Sequence, residues 1–191
     1  EPVEVKPIEF TKVTEVTADM LAPEQFFYFE ILGDNYHKEE IVGLAWGDSC
    51  QIYVGTSDLL HQPLFQEFLA KTALKTYDLK RTKVLLSHYG IELPVASFDA
   101  RLAKYLLSTV EDNELATIAR LYGQTILPTD DEVYGKGAKR ALPEQEQLFE
   151  HLARKVQVLV ETEEPMQEQL RSHDQLDLLL EMEQPLAFVL A

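Results

Sequence analysis

Few residues of this chain have a type and spacing suited to chemistry. Carboxylates at Glu30, Asp78 and Asp99 could hold a hard divalent cation, which prefers oxygen ligands. Glu30 ends an aromatic run, where it also reads as a polar residue at a strand end. Asp78 and Asp99 each precede a helical stretch and read first as N-caps. His151 and Lys155 lie four residues apart and project from one face of a helix. His151 has no histidine partner at metal-ligand spacing, and His37, His61, His88 and His173 are scattered, so an ordinary helix histidine is favoured over acid–base chemistry. No triad order surrounds Cys50.

Two stretches could meet phosphates. Gly135-Lys136-Gly137-Ala138-Lys139-Arg140 has the composition of a phosphate loop. It lacks the Gly-x-x-x-x-Gly-Lys-Ser/Thr spacing and does not directly follow a strand. It reads as a flexible basic loop, with DNA-backbone contact through Lys136, Lys139 and Arg140 as the minor reading. Lys75, Lys80, Arg81 and Lys83 form a second basic group, suited to phosphates or to facing another domain. The net charge of −16 argues against a general electrostatic DNA binder. The charge is uneven: residues 1–70 carry 13 acidic and 3 basic groups, whereas residues 71–104 carry 7 basic and 3 acidic. Any phosphate-facing surface therefore involves the 71–104 segment, although a solvated face with chance clustering is the favoured reading of the charge alone.

The elements that must position these residues follow from period and punctuation. A length of 191 residues, 46% of them hydrophobic, suits one domain with a proper core. No run of about 18 apolar residues offers a membrane span, and no basic-then-apolar leader opens the chain. A start at Glu1 rather than Met suggests a fragment or processed piece. The lone Cys50 excludes an intramolecular disulfide and a Cys-based zinc site, and fits a reducing, cytoplasmic setting. Residues 1–22 read as an extended linker with one short strand. Phe26–Ile31, Ile41–Trp46 and Gln51–Val54 read as a three-strand meander. A helix capped by Asp58 carries Leu59 to Leu69, and Ala73–Tyr77 is a short strand. The next helix carries Val84–Leu86 and ends at Gly90. Val95–Phe98 is a fifth strand, and Asp99 caps the helix of Leu102, Leu106 and Leu107. A further helix covers 113–122, residues 123–143 read as a long loop, and a long helix from Glu144 carries Leu148 to Val160. A last helix runs from about Asp174 to Glu183. The pattern is an α/β mixed sheet flanked by helices.

Several stretches then resemble the 3′–5′ exonuclease-like domain of bacterial family A DNA polymerase I. They are Ile41-Val42-Gly43-Leu44, Tyr89-Gly90-Ile91-Glu92-Leu93-Pro94, Ser97-Phe98-Asp99 and Tyr105-Leu106-Leu107. The stretch from Asp131 to Arg140 resembles the form in low-GC Gram-positive bacteria, and Glu183-Gln184-Pro185-Leu186-Ala187 resembles the junction with a polymerase domain. The resemblance implies a ribonuclease H-like fold, an exonuclease-like domain over 23–174, and a C-terminal helix and junction over 175–191. Active members of the family use two divalent metals to cut a terminal phosphodiester. Such catalysis needs carboxylates holding two ions about 3.5–4 Å apart.

Carried over by position, the family's first-strand Asp becomes Tyr28 and its Glu remains as Glu30. The second Asp becomes Thr82. On the late helix, Tyr becomes His151 and Asp becomes Lys155. One of four carboxylates survives, and one position has become a cation. Two like unit charges about 4 Å apart repel by roughly 4 kcal/mol at an effective dielectric near 20, and a divalent ion doubles that. The resemblance therefore implies a relic domain with no catalytic metal pair, in which Lys155 pairs with Glu30. Mg²⁺ is expected only in the polymerase domain of the parent chain. Expected partners are that polymerase domain and, through the parent enzyme, DNA contacted at Lys80, Arg81, Lys83, Lys136, Lys139 or Arg140. A monomer with no membrane contact is expected. The alternatives are a weakly active exonuclease built on Glu30 and Asp78, and a single-strand DNA docking module.

Overall fold

The computed structural model describes residues 7–94, 98–107 and 115–172. Six strands form one mixed sheet: β1 (Thr11–Lys12), β2 (Phe26–Glu30), β3 (Gly43–Gly47), β4 (Ile52–Gly55), β5 (Lys75–Thr76) and β6 (Phe98–Asp99). Their order is β1-β4-β3-β2-β5-β6. The expected meander is present as antiparallel β2–β3 and β3–β4 pairs, while β1, β5 and β6 join by parallel pairing.

All five residues of β2 are buried, because it lies inside the sheet with both faces covered. Side chains still alternate across the pleat. Phe27 and Phe29 point to the layer of α1 (Pro63–Lys71) and α2 (Leu79–Ser87), where they join Leu44, Trp46, Phe65 and Leu85. Phe26 and Tyr28 point the other way. There they meet residues of α3 (Ala100–Leu107), α4 (Leu115–Tyr122) and α6 (Gln145–Ser172). Tyr28 and Glu30 share parity, so both face α6. A Cβ on Gly43, the register partner of Glu30, would come within 3.0 Å of Leu152 Cδ1, so glycine lets α6 lie close over this part of the sheet.

Several boundaries differ from those read in the sequence. Asp58 does not cap α1; it lies in a 3₁₀ turn, Ser57–His61. Pro63 has no N–H to donate and holds Gln62 extended, so the helix starts afresh there. Within 123–143, read as a loop, lie α5 (Asp130–Tyr134) and a 3₁₀ turn, Gly137–Lys139. Thr129 starts α5 by accepting a bond from Glu132 N, and three acidic residues favour its N-terminal dipole. α6 runs through Pro165 to Ser172 because Met166 and Leu170 continue its buried face. The Asp174–Glu183 helix, residues 175–191, His173, Val95–Ser97 and residues 1–6 lie outside the described residues.

Asp99 is the tie between β6 and α2. Its carboxylate accepts bonds from Asp78 N at 2.8 Å and Leu79 N at 2.9 Å, and also from Arg101 N and Leu102 N at the start of α3. Asp78 sits at φ +67°, a costly region for a non-glycine residue, and caps α2 through Arg81 N. Replacing Asp99 orphans buried donors at two helix starts. Asp99→Ala is expected to lower stability by about 2–4 kcal/mol, read from the urea midpoint at unchanged m-value.

Candidate functional site

Four elements meet at one buried charge cluster. β2 supplies Tyr28 and Glu30, α2 supplies Arg81, α5 supplies Asp130 and Tyr134, and α6 supplies His151 and Lys155. The i, i+4 spacing of His151 and Lys155 aims both toward β2 and α5. The Lys155 ammonium contacts the Glu30 carboxylate, lies 2.8 Å from Asp130 Oδ1 and donates to Tyr28 Oη at 3.2 Å. It also lies 4.7 Å from the Tyr28 ring centroid. The Lys155 and Glu30 side chains are only 3% and 2% exposed, so water does little to screen them.

Glu30 is held from every side. Tyr134 Oη donates to its Oε2 at 3.0 Å, Ile31 N donates to its Oε1 at 3.1 Å, and the Arg81 guanidinium stands 3.7 Å away. Arg81 in turn lies over the Tyr28 ring, 5.2 Å from its centroid. Asp130 Oδ1 also faces His151 Nε2 at 2.8 Å. The His151 ring stands edge-on to Tyr134, with centroids 5.4 Å apart.

These contacts decide the protonation states. Burial opposes charge on Lys155, yet Glu30 and Asp130 hold its pKa well above the usual ammonium value. Burial also opposes charge on Asp130, and Lys155 and His151 outweigh it, holding that carboxyl far below its usual range. Burial pushes the Tyr28 and Tyr134 phenols up, and the Glu30 charge adds to it. His151 is lowered, with burial outweighing its bond to Asp130.

Thr82 is placed beside this cluster but turned to its own hydrogen bonds. Its hydroxyl donates to Asp78 O at 2.9 Å and lies 3.1 Å from Thr76 Oγ1. Asp78 is engaged as a cap and lies 3.8 Å from Arg101, outside the metal-capable group. Among the expected phosphate contacts, Arg81 is turned inward on Glu30. Arg140 binds Leu32 O, Gly135 O and Asp131, and covers the Tyr134 ring. Lys75 bridges Glu24 and Glu163. Lys136 and Lys139 are exposed, and Lys80 and Lys83 are half-buried. Sequence reasoning gave no role to Asp130 or Tyr134. The signal for them was the capping box Thr129-x-x-Glu132, which starts a short helix and sets Asp130 at its first position.

Ligand atoms of Glu30, Asp130 and His151 all lie within 4.8 Å of one another, a spread one ion could bridge. The two-metal arrangement of the family's active members does not fit these residues. Thr82 and Lys155 bring no carboxylate, and the ammonium already contacts both acids.

Mixed sheet order, flanking helices and a buried cluster on β2 and α6 define a ribonuclease H-like nuclease fold. Solved structures agree on that fold. NrnC of Brucella melitensis bound to pGG aligns at TM-score 0.71 and 14% identity, covering 95% of this chain and 93% of its own. The catalytic core of RRP6 from Trypanosoma brucei aligns at TM-score 0.66 and 12% identity, covering 86% of this chain and 46% of its own. Residues 27–162 match the family model for the DNA polymerase I, ribonuclease H-like domain, and the chain belongs to that family. It is 55% identical over 185 residues to DNA polymerase I of Streptococcus pneumoniae R6, and 38% identical over 187 residues to that of Bacillus subtilis 168. Each alignment covers 96% of this chain and 21% of the relative, so the chain spans about a fifth of their length. Among the described residues, no helix is long and apolar enough to cross a membrane.

Two outcomes follow from the cluster. Removing one partner of a buried ion pair typically costs about 3–5 kcal/mol, so Glu30→Ala is expected to lose that much in urea unfolding. The native state also resists protonation of His151, whereas the unfolded chain takes up its proton near the ordinary value of 6.5. A folded pKa below the unfolded one means stability is full above that value and declines as pH falls beneath it. The urea midpoint is expected to drop between about pH 7.5 and 5.5, and to drop less in His151→Gln.

Proposed function

We propose that this ribonuclease H-like domain does not hydrolyse DNA, and that it links and supports the other domains of a DNA polymerase I chain. The observation that carries this is the Lys155 ammonium in contact with Glu30 and 2.8 Å from Asp130. A divalent ion entering there would meet an internal cation, a repulsion of roughly 8 kcal/mol at about 4 Å and an effective dielectric near 20. In this reading the domain takes no metal of its own, and Mg²⁺ serves only the polymerase domain of the parent chain. The parent would carry out template-directed synthesis in replication and repair, in the cytoplasm and as a monomer. Its polymerase domain would be the main partner of the present one. Any DNA contact by the isolated domain would fall to Lys80, Lys83, Lys136 and Lys139, since Arg81 and Arg140 are engaged internally.

The second reading is a metal-dependent 3′–5′ exonuclease. The clustering of Glu30, Asp130 and His151 ligand atoms within 4.8 Å favours it. Calorimetric titration with Mn²⁺, run beside a single-strand degradation assay, separates the two. The expected outcome is no binding tighter than millimolar and no degradation. Tight binding, with degradation abolished by Glu30→Ala, would establish the second reading instead.

A further inference from the structure

We propose that Glu30, Asp130 and His151 form a latent three-ligand site for one divalent transition metal, which the Lys155 ammonium keeps closed by taking the ion's place. The inference rests on the reading that Lys155 excludes metals from the native chain, and goes beyond it by assigning a ligand set. Neither Asp130 nor His151 occupies a carboxylate position of the two-metal pattern.

The three ligands come from separate elements, β2, α5 and α6, so none depends on a loop tip. The three ligand atoms lie within 4.8 Å of one another, and Asp130 Oδ1 and His151 Nε2 are 2.8 Å apart, so small side-chain adjustments would bring all three to the usual metal–ligand distance of about 2.0–2.4 Å. Two carboxylates and an imidazole suit Zn²⁺, Co²⁺ or Mn²⁺ better than Mg²⁺. His151 is buried, and its Nδ1 has no hydrogen-bond partner among the described residues. Coordination through Nε2 would therefore replace only the contact with Asp130 Oδ1.

Charge explains why the site is closed. Glu30 and Asp130 bring two negative charges, and Lys155 and Arg81 bring two positive ones within reach. The cluster is thus balanced without an ion. Replacing Lys155 with a neutral side chain leaves one uncompensated negative charge and a gap lined by the three ligands. Tyr28 and Tyr134 remain as neutral hydroxyls at its edge, the latter donating to Glu30.

The test is Co²⁺ titration of the native chain, Lys155→Met and Lys155→Gln, followed by visible d–d absorption, with displacement by Zn²⁺. Both variants are expected to bind one equivalent about 100-fold or more tighter than the native chain. Adding His151→Ala or Glu30→Gln to Lys155→Met should abolish the absorption. If a variant is unfolded without metal, the readout becomes recovery of the native circular dichroism on adding one equivalent of Co²⁺. Failure to bind or to recover in both variants, or binding indifferent to His151 and Glu30, overturns the inference. That result leaves the native chain's lack of metal affinity intact. Tight binding by the native chain itself would overturn both this inference and the functional reading on which it rests.

Discussion

An ammonium group at 3% exposure has to be met by acceptors on every side, and much of this domain is arranged to do so. Lys155 reaches the sheet from α6. Glu30 meets it from β2, Asp130 from α5 and Tyr28 from one pleat earlier on β2. The second contact of Asp130, with His151, returns to α6. Moving any one of these elements leaves a buried charge without its counterpart. The cluster therefore sets the distance of α6 from the sheet as well as the charge at its centre.

The apolar core makes that approach possible. Glycine at position 43 lets Leu152 come down onto β3, beside the strand that carries Glu30. Leu148, Phe149, Leu152, Val156 and Leu159 bury the rest of the helix face. On the far side of the sheet, Phe29, Phe27 and Trp46 stack in a separate aromatic layer that Phe65 meets edge-on. The indole N–H of Trp46 is satisfied by Met20 O at 2.9 Å, which ties the N-terminal segment to that layer. The sheet is thus covered on both faces, and β2 has no residue facing solvent.

The same arrangement gives the proposed loss of nuclease chemistry a physical basis. A two-metal hydrolase needs concentrated negative charge that ions can balance. In this domain the balance is internal, through Lys155 and Arg81 on Glu30 and through Lys155 on Asp130, with His151 only hydrogen-bonded to Asp130. Under that proposal, side chains supply the charge that ions would otherwise bring. The fold would then be kept for packing against the rest of a longer chain.

Much was legible in the sequence because it depends on local pattern. The aromatic run at 26–31, the meander behind it, Gly90 at the end of α2 and the long late helix follow from period and punctuation. The i, i+4 pair of His151 and Lys155 fixed their shared helix face, and the family resemblance placed Lys155 opposite Glu30. Asp130 and Tyr134 were hidden, since they approach Glu30 across about a hundred residues of sequence, from a short helix inside an apparent loop. The inward turn of Arg81 and Arg140 was equally hidden, because a cation on a polar segment reads as solvated until its partners are known. Residue types and spacing determined which elements form and which faces they bury. Only tertiary structure decided which charges neutralise one another, because Coulomb energy depends on distance through space and on burial, and neither is written in the order of residues.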